Sequence, residues 1–129
     1  MLGSYEVVAT IAVKDIDAAT MFYEGTLGLS RMEVPDADPE AIMYRSGNSG
    51  LLVYRSQYAG TNQATAASWG VGDKLEAVID GLKSKGVTFE HYDLPGAERE
   101  GDVHVIGGLK AAWFKDPDGN ILNLVNQAT

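Results

Sequence analysis

The sequence predicts an α+β domain made of two copies of one βαβββ module. Three observations carry that expectation. Each half opens with an apolar run that passes through an aspartate into a helical pattern, and each half closes with two strand-like runs joined by a turn-rich pentapeptide. The composition also suits a packed core: of 129 residues, 45% are hydrophobic and 22% charged, which argues against wholesale disorder.

Val7–Val13 is the first expected strand. Asp15 then opens a helix, because its carboxylate can accept the orphan amide hydrogens of the first turn. Ile16, Ala19, Phe22, Tyr23 and Leu27 recur at spacings that give one apolar face. Gly28 ends the helix, as glycine tolerates the positive φ that a helix terminus often needs. Three further strands are expected at Leu29–Val34, Ala41–Arg45 and Leu51–Arg55. The second module repeats the order: strand Ala66–Val71, Asp73 as helix cap, Leu75, Val78, Ile79 and Leu82 as the stripe, and Gly86 as the stop. Strands Val87–Tyr92, Leu109–Lys115 and Ile121–Val125 complete it. Val13 and Asp15 align with Val71 and Asp73 at one constant offset, and Ala41–Arg55 lies on Ala111–Val125 without a gap. The pentapeptides, Ser46-Gly47-Asn48-Ser49-Gly50 and Asp116-Pro117-Asp118-Gly119-Asn120, are rich in residues that turns require. The polar stretch Gln57–Gln63 marks a boundary, giving module 1 as about 1–58 and module 2 as about 62–129 of a single domain.

The formal charge is −8, with a sequence pI near 4.5. No basic cluster offers a footprint for nucleic acid, and a negative field repels anionic membranes. No apolar stretch reaches the length of a membrane span, and Met1–Tyr5 does not lead from a basic segment into an apolar run, so neither a membrane span nor a secretory signal is expected. The absence of cysteine removes disulfides, thiolate ligands and thiol nucleophiles. It fits a reducing compartment, so the expected location is cytoplasmic.

Val13-Lys14-Asp15-Ile16-Asp17, followed by Ala19, Phe22-Tyr23 and Leu27-Gly28-Leu29, resembles the opening signature of the vicinal oxygen chelate superfamily. That superfamily includes glyoxalases, bleomycin-resistance proteins and extradiol dioxygenases. Phe114-Lys115-Asp116-Pro117-Asp118-Gly119-Asn120 resembles its closing signature, and the resemblance extends over nearly the whole chain. It implies that each module curls its strands into half of a cup, giving one barrel-like mixed sheet. It also implies a homodimer with a cavity at or near the interface. Fold alone does not choose among the chemistries of the family.

Metal-dependent members that this chain resembles place one His or Glu on each of four strands. The positions that match are Val8, Val53, Ala66 and Asn123. The first three carry no donor, and the amide oxygen of Asn123 is a poor ligand alone. The neighbours Val7, Ala9, Leu52 and Ala67 are equally inert. No metal or other cofactor is therefore expected, and glyoxalase I chemistry, which depends on the metal, is not expected.

Strand alternation then assigns the lining of the cup. Val8, Thr10 and Ala12 face it from one strand, Ala66, Ser68 and Gly70 from its counterpart, Leu51, Val53 and Arg55 from a third, and Ile121, Asn123 and Val125 from a fourth. Ile11 and Trp69 point to the helix side, while Trp113 and Tyr54 are the candidates for stacking on a ligand. The motif Asp116–Gly119 reads as a structural turn. Of the two histidines, His91 reads as a partly exposed strand residue. His104 falls in the glycine-punctuated segment 96–108, which reads as a lid over the cup, with Asp102 as a possible carboxylate partner. The expected ligand-binding set is thus Val8, Thr10, Val53, Tyr54, Arg55, Ala66, Ser68, His104, Trp113 and Asn123. His104 is also the one candidate for catalysis. No nucleophile elbow or phosphate-cradling loop is present. The function expected is metal-independent binding of a small, largely hydrophobic or aromatic molecule, resembling bleomycin-resistance-type sequestration. The alternatives are a superfamily enzyme of lyase or dioxygenase type with a non-standard site, and a ligand-sensing accessory module.

Overall fold

The computed structural model describes residues 1–35 and 38–127; Asp36, Ala37, Ala128 and Thr129 lie outside the described residues. The chain divides into two compact units, Met1–Thr61 and Asn62–Thr129. Each has its own mixed sheet, so the architecture is the α+β class expected, with two mixed sheets. Among the described residues no helix is long and apolar enough to cross a membrane.

The first unit contains β1 (Ala9–Val13), α1 (Ile16–Thr20) running into a π-helical turn (Met21–Thr26), β2 (Ser30–Arg31), β3 (Ala41–Ser46) and β4 (Ser49–Arg55). The sheet order is β1-β4-β3-β2, with β1 parallel to β4 and the other pairs antiparallel. Asp15 caps α1 as its sequence position predicts, accepting from the amides of Asp17 at 2.9 Å and Ala18 at 3.2 Å. The helix then widens, with Leu27 N bonded to Phe22 O at 2.9 Å, and Gly28 turns the chain out at φ +76°. The sheet pairs Thr10 with Leu52, Ile11 with Val53 and Ala12 with Tyr54. Paired residues share a face. One face therefore buries Ile11, Val13, Ile42, Tyr44, Leu51 and Val53, and Ala19 and Tyr23 of the helical segment are buried with them. Tyr23 stacks on Tyr44 with centroids 6.1 Å apart. The other face carries Thr10, Ala12, Met43, Leu52 and Tyr54, all more open.

This register corrects two expected positions. Val53 lies on the face opposite Thr10 and is fully buried in the core. Arg55 pairs with Val13 on Val53's side and approaches Glu40 at 3.9 Å. The cause is a turn. The β3–β4 hairpin pairs Ser46 with Ser49 around two residues, whereas its counterpart in the second unit closes around five. Met43 and Leu52 therefore occupy the pairing positions of Trp113 and Asn123, and the gapless alignment of the two hairpins fails by one residue.

The second unit contains β5 (Thr65–Gly70), a 3-10 turn (Gly72–Lys74), α2 (Leu75–Ser84), β6 (Phe89–Glu90), β7 (Glu98–Glu100), β8 (Val103–Ile106), β9 (Leu109–Lys115) and β10 (Ile121–Val125). The order is β5-β10-β9-β8-β7, with β6 also paired to β9. Asp73 is not a helix cap. Gly72 adopts φ +59°, the chain passes through the 3-10 turn, and α2 starts after Lys74 with no side-chain cap. The stripe Leu75, Ile79 and Leu82 is buried as the periodicity predicts. Gly86, at φ +92°, ends the helix in a Schellman arrangement, with Gly86 N on Lys83 O and Val87 N on Leu82 O.

The closing turn is a cage around one carboxylate. Asp116, 4% exposed, accepts from the amides of Asp118 and Asn120, each at 2.9 Å, and from the Asn120 side chain at 2.8 Å. Segment 96–108 contains a β7–β8 hairpin built onto the edge of β9, with Gly101 at φ +64° in its turn.

Candidate functional site

Pairing fixes which side chains of the second unit share a face. Asn123 pairs with Ser68 and with Trp113, Trp113 with Glu90, and Ala111 with both Val125 and His104. His104, Trp113, Asn123 and Ser68 therefore lie on one side of the sheet. Phe89, Ala112, Phe114, Leu122 and Leu124, all buried, lie on the other.

The polar positions of the first face are already engaged. Ser68 Oγ donates to Asn123 Oδ1 at 2.8 Å, and Asn123 Nδ2 donates to Ala112 O at 3.2 Å. Trp113 Nε1 donates to Thr65 Oγ1 at 3.1 Å, which fixes the indole plane. His104 is 1% exposed, and its Nε2 accepts from the amide of Tyr92 at 2.9 Å. The imidazole meets the Trp113 ring edge-on at 5.0 Å, and Tyr92 meets the same indole at 5.6 Å. Asp102 does not pair with His104. It binds Lys83 Nζ at 2.7 Å and His91 Nε2 at 2.8 Å, and the Lys83 bond, with His91 second, holds its carboxyl below the usual range. Burial, aided by the Glu90 charge, pushes the Tyr92 phenol up.

Two hollows flank Tyr92. One, about 530 Å³, is lined by Tyr92, Leu94, Pro95, Glu98, Arg99 and His104, among others. The other, about 430 Å³, lies against Thr65, Tyr92, Leu94, Trp113 and Ile121. Tyr92, Asp93 and Leu94 border both. The structure thus brings His104, Trp113, Ser68 and Asn123 together, whereas Val53 and Arg55 sit on the other face of the first unit's sheet. Thr10 and Tyr54 share the open face of that sheet, and Val8 precedes β1, partly exposed. Ala66 is skipped by a register shift between Ile121 and Leu122 and is exposed. Tyr92, Leu94 and Thr65 escaped the sequence reading. The alternation Glu90–Tyr92 beyond the short strand β6 was the available signal for the first.

The matched metal positions do not fit a divalent ion. By pairing, Leu52 and not Val53 stands where Asn123 stands in the second unit, and leucine is equally without a donor. The amide of Asn123 is committed at both ends. Among the described residues no three His, Cys, Asp or Glu side chains cluster in a way that could hold a metal ion.

A family model described as the Glyoxalase/Bleomycin resistance protein/Dioxygenase superfamily matches residues 6–124. Among solved structures, the chain is similar to a member of that superfamily from Sphaerobacter thermophilus, at 25% identity and TM-score 0.68, covering 97% of this chain and 98% of that one. It is similar in fold to an integron cassette protein from the Halifax Harbour sewage outfall, at 17% identity and TM-score 0.68, covering 98% and 99%. A third likeness of fold is to the fosfomycin resistance protein FosX of Mesorhizobium loti, at 11% identity and TM-score 0.66, covering 100% and 95%. No curated protein matches the chain.

Proposed function

The chain belongs to the glyoxalase/bleomycin resistance protein/dioxygenase superfamily, and from that premise we propose that it holds a small, largely hydrophobic or aromatic molecule without a metal, as sequestering members do. The observation that carries this reading is the hollow walled by Tyr92, Leu94, Trp113 and Ile121, beside a chelate position whose amide is spent on the protein itself. At about 430 and 530 Å³, the hollows beside Tyr92 are in the size range of small-molecule sites. The face offers an aromatic wall but no nucleophile and no metal donor set. Asp93 and Glu98 outnumber Arg99 in the lining, and the chain carries −8 overall, which favours neutral or cationic ligands over anions. The family resemblance supports a homodimer, and the cysteine-free composition supports a cytoplasmic setting.

Calorimetry with Ni, Zn, Mn and Fe(II) tests the metal-free part: no heat of binding is expected, and tight one-to-one uptake of any of them overturns it. For the ligand, a Trp69→Phe variant leaves Trp113 as the reporting indole. Neutral planar aromatics should quench its fluorescence saturably, and Trp113→Ala should weaken their binding about tenfold.

A further inference from the structure

We propose that Tyr92 and His104 form a two-donor anchor for an oxygen atom, and that the molecule bound beside Tyr92 is a neutral aromatic compound bearing a carbonyl-type acceptor. The proposal rests on the ligand-binding reading above and names the chemistry of that ligand.

The tautomer of His104 follows from one bond. Nε2 accepts the Tyr92 amide hydrogen at 2.9 Å, so that nitrogen carries the lone pair and the ring proton sits on Nδ1. Nδ1 has no partner, and neither has the Tyr92 hydroxyl. Among the described residues these are the buried side-chain polar atoms left unsatisfied. Buried donors are nearly always paired, because an unpaired one forfeits its hydration for nothing. Here two occur on neighbouring rings, with centroids 6.0 Å apart, both residues lining the same hollow of about 530 Å³. The Trp113 indole packs edge-on against both rings and holds them in place.

The chemistry of the pair selects its guest. An imidazole N–H only donates, and the phenol beside it can donate as well, so the complementary group is an acceptor oxygen. A carboxylate would also accept, but it would enter beside Asp93 and Glu98, with Arg99 as the one cation in the lining. A ketone, quinone or lactone oxygen meets the two donors without that repulsion. Both atoms lie below the surface of the hollow. The oxygen therefore reaches them through a local opening of the hollow's wall.

The test uses the full chain and three probes of one shape: 9-fluorenone, fluorene and fluorene-9-carboxylate. Fluorenone is expected to bind at least about tenfold more tightly than fluorene, the scale of one buried donor satisfied, and more tightly than the carboxylate. Tyr92→Phe should bring the fluorenone-to-fluorene ratio toward one. His104→Met should do the same, since its thioether offers no hydrogen-bond donor. Ring nitrogen chemical shifts should show His104 protonated at Nδ1, with that signal moving on addition of fluorenone. Equal binding of fluorenone and fluorene, unaltered in both variants, overturns the anchor and leaves the ligand-binding reading standing. Tighter binding of the carboxylate overturns the neutral class, and a ring protonated at Nε2 overturns the tautomer. Failure of all three probes to bind overturns the site as a whole.

Discussion

The two units each pair their first strand in parallel with their last, but they hold themselves together differently. In the first, the polar contacts gather at the helix. Tyr44 OH and Arg31 Nε both donate to Glu24, at 2.8 and 2.7 Å, tying β3 and β2 to the π-helical turn, while the closing hairpin turns over two residues. In the second, the helix begins without a side-chain cap, and the polar contacts gather in the closing turn around Asp116 and on a sheet face enlarged by the β7–β8 hairpin. That added hairpin is what delivers His104. Two units of similar core pattern thus differ in where their polar contacts lie and in how far the sheet extends.

The sharpest way to break this comparison is at the turns. Asp116→Ala strips three hydrogen bonds from a buried cage and should cost about 3 kcal/mol in denaturant unfolding. In the first unit's turn, Ser49→Ala, which removes an exposed bond to Ser46 O, should cost only about 0.5 kcal/mol. Comparable losses at both turns would mean that the two hairpins are not fastened differently. The helix network comes next: Tyr44→Phe should cost about 1.5 kcal/mol, as expected for a part-buried bond to a carboxylate. It also carries a pH signature. Burial first, and then the Glu24 contact, push the Tyr44 phenol up to about 12. An unfolded tyrosine ionises near pH 10, so between about 10 and 12 the unfolded chain binds fewer protons. Stability is therefore full below pH 10 and falls as pH rises towards 12, and Tyr44→Phe should flatten part of that fall. The smallest effect separates the two helix starts. Asp15→Ala should lose about 1 kcal/mol, whereas Asp73→Ala should stay within about 0.5 kcal/mol, because only Asp15 accepts from its helix.

These same contrasts mark what the sequence could and could not disclose. The strands at Leu109–Lys115 and Ile121–Val125, the Asp15 cap, the Gly28 and Gly86 stops and the α2 stripe are local events, legible from residue type and spacing. Asp73 misled because a cap needs an extended backbone, and Gly72 at φ +59° sends the chain into a 3-10 turn first. Val53 misled because parity along a strand is set by its partner, and the pairing register of the second hairpin is offset by one residue from that of the first. His104 was singled out, but its surroundings were not legible. Four glycines between 96 and 108 read as hinges, although Val103-His104-Val105-Ile106, three of its four residues β-branched, can form a strand once Gly101 turns the chain. The pairing of Asp102 with Lys83 and His91 depends on a helix and a loop that no local spacing relates.

The length of the closing turn has a further consequence. Side chains on a strand alternate strictly, so a hairpin's loop acts as a phase setting for everything downstream of it. A one-residue shift in the pairing of β10 with β9 would bring Leu122 or Leu124 to the place of Asn123 and press the asparagine into the aliphatic layer. The chemistry of a face can therefore be rewritten without changing any residue on it, by a turn that closes around a different number of residues. Between the two units, the difference in what each sheet face presents is then to be sought in how the turns close as much as in residue type.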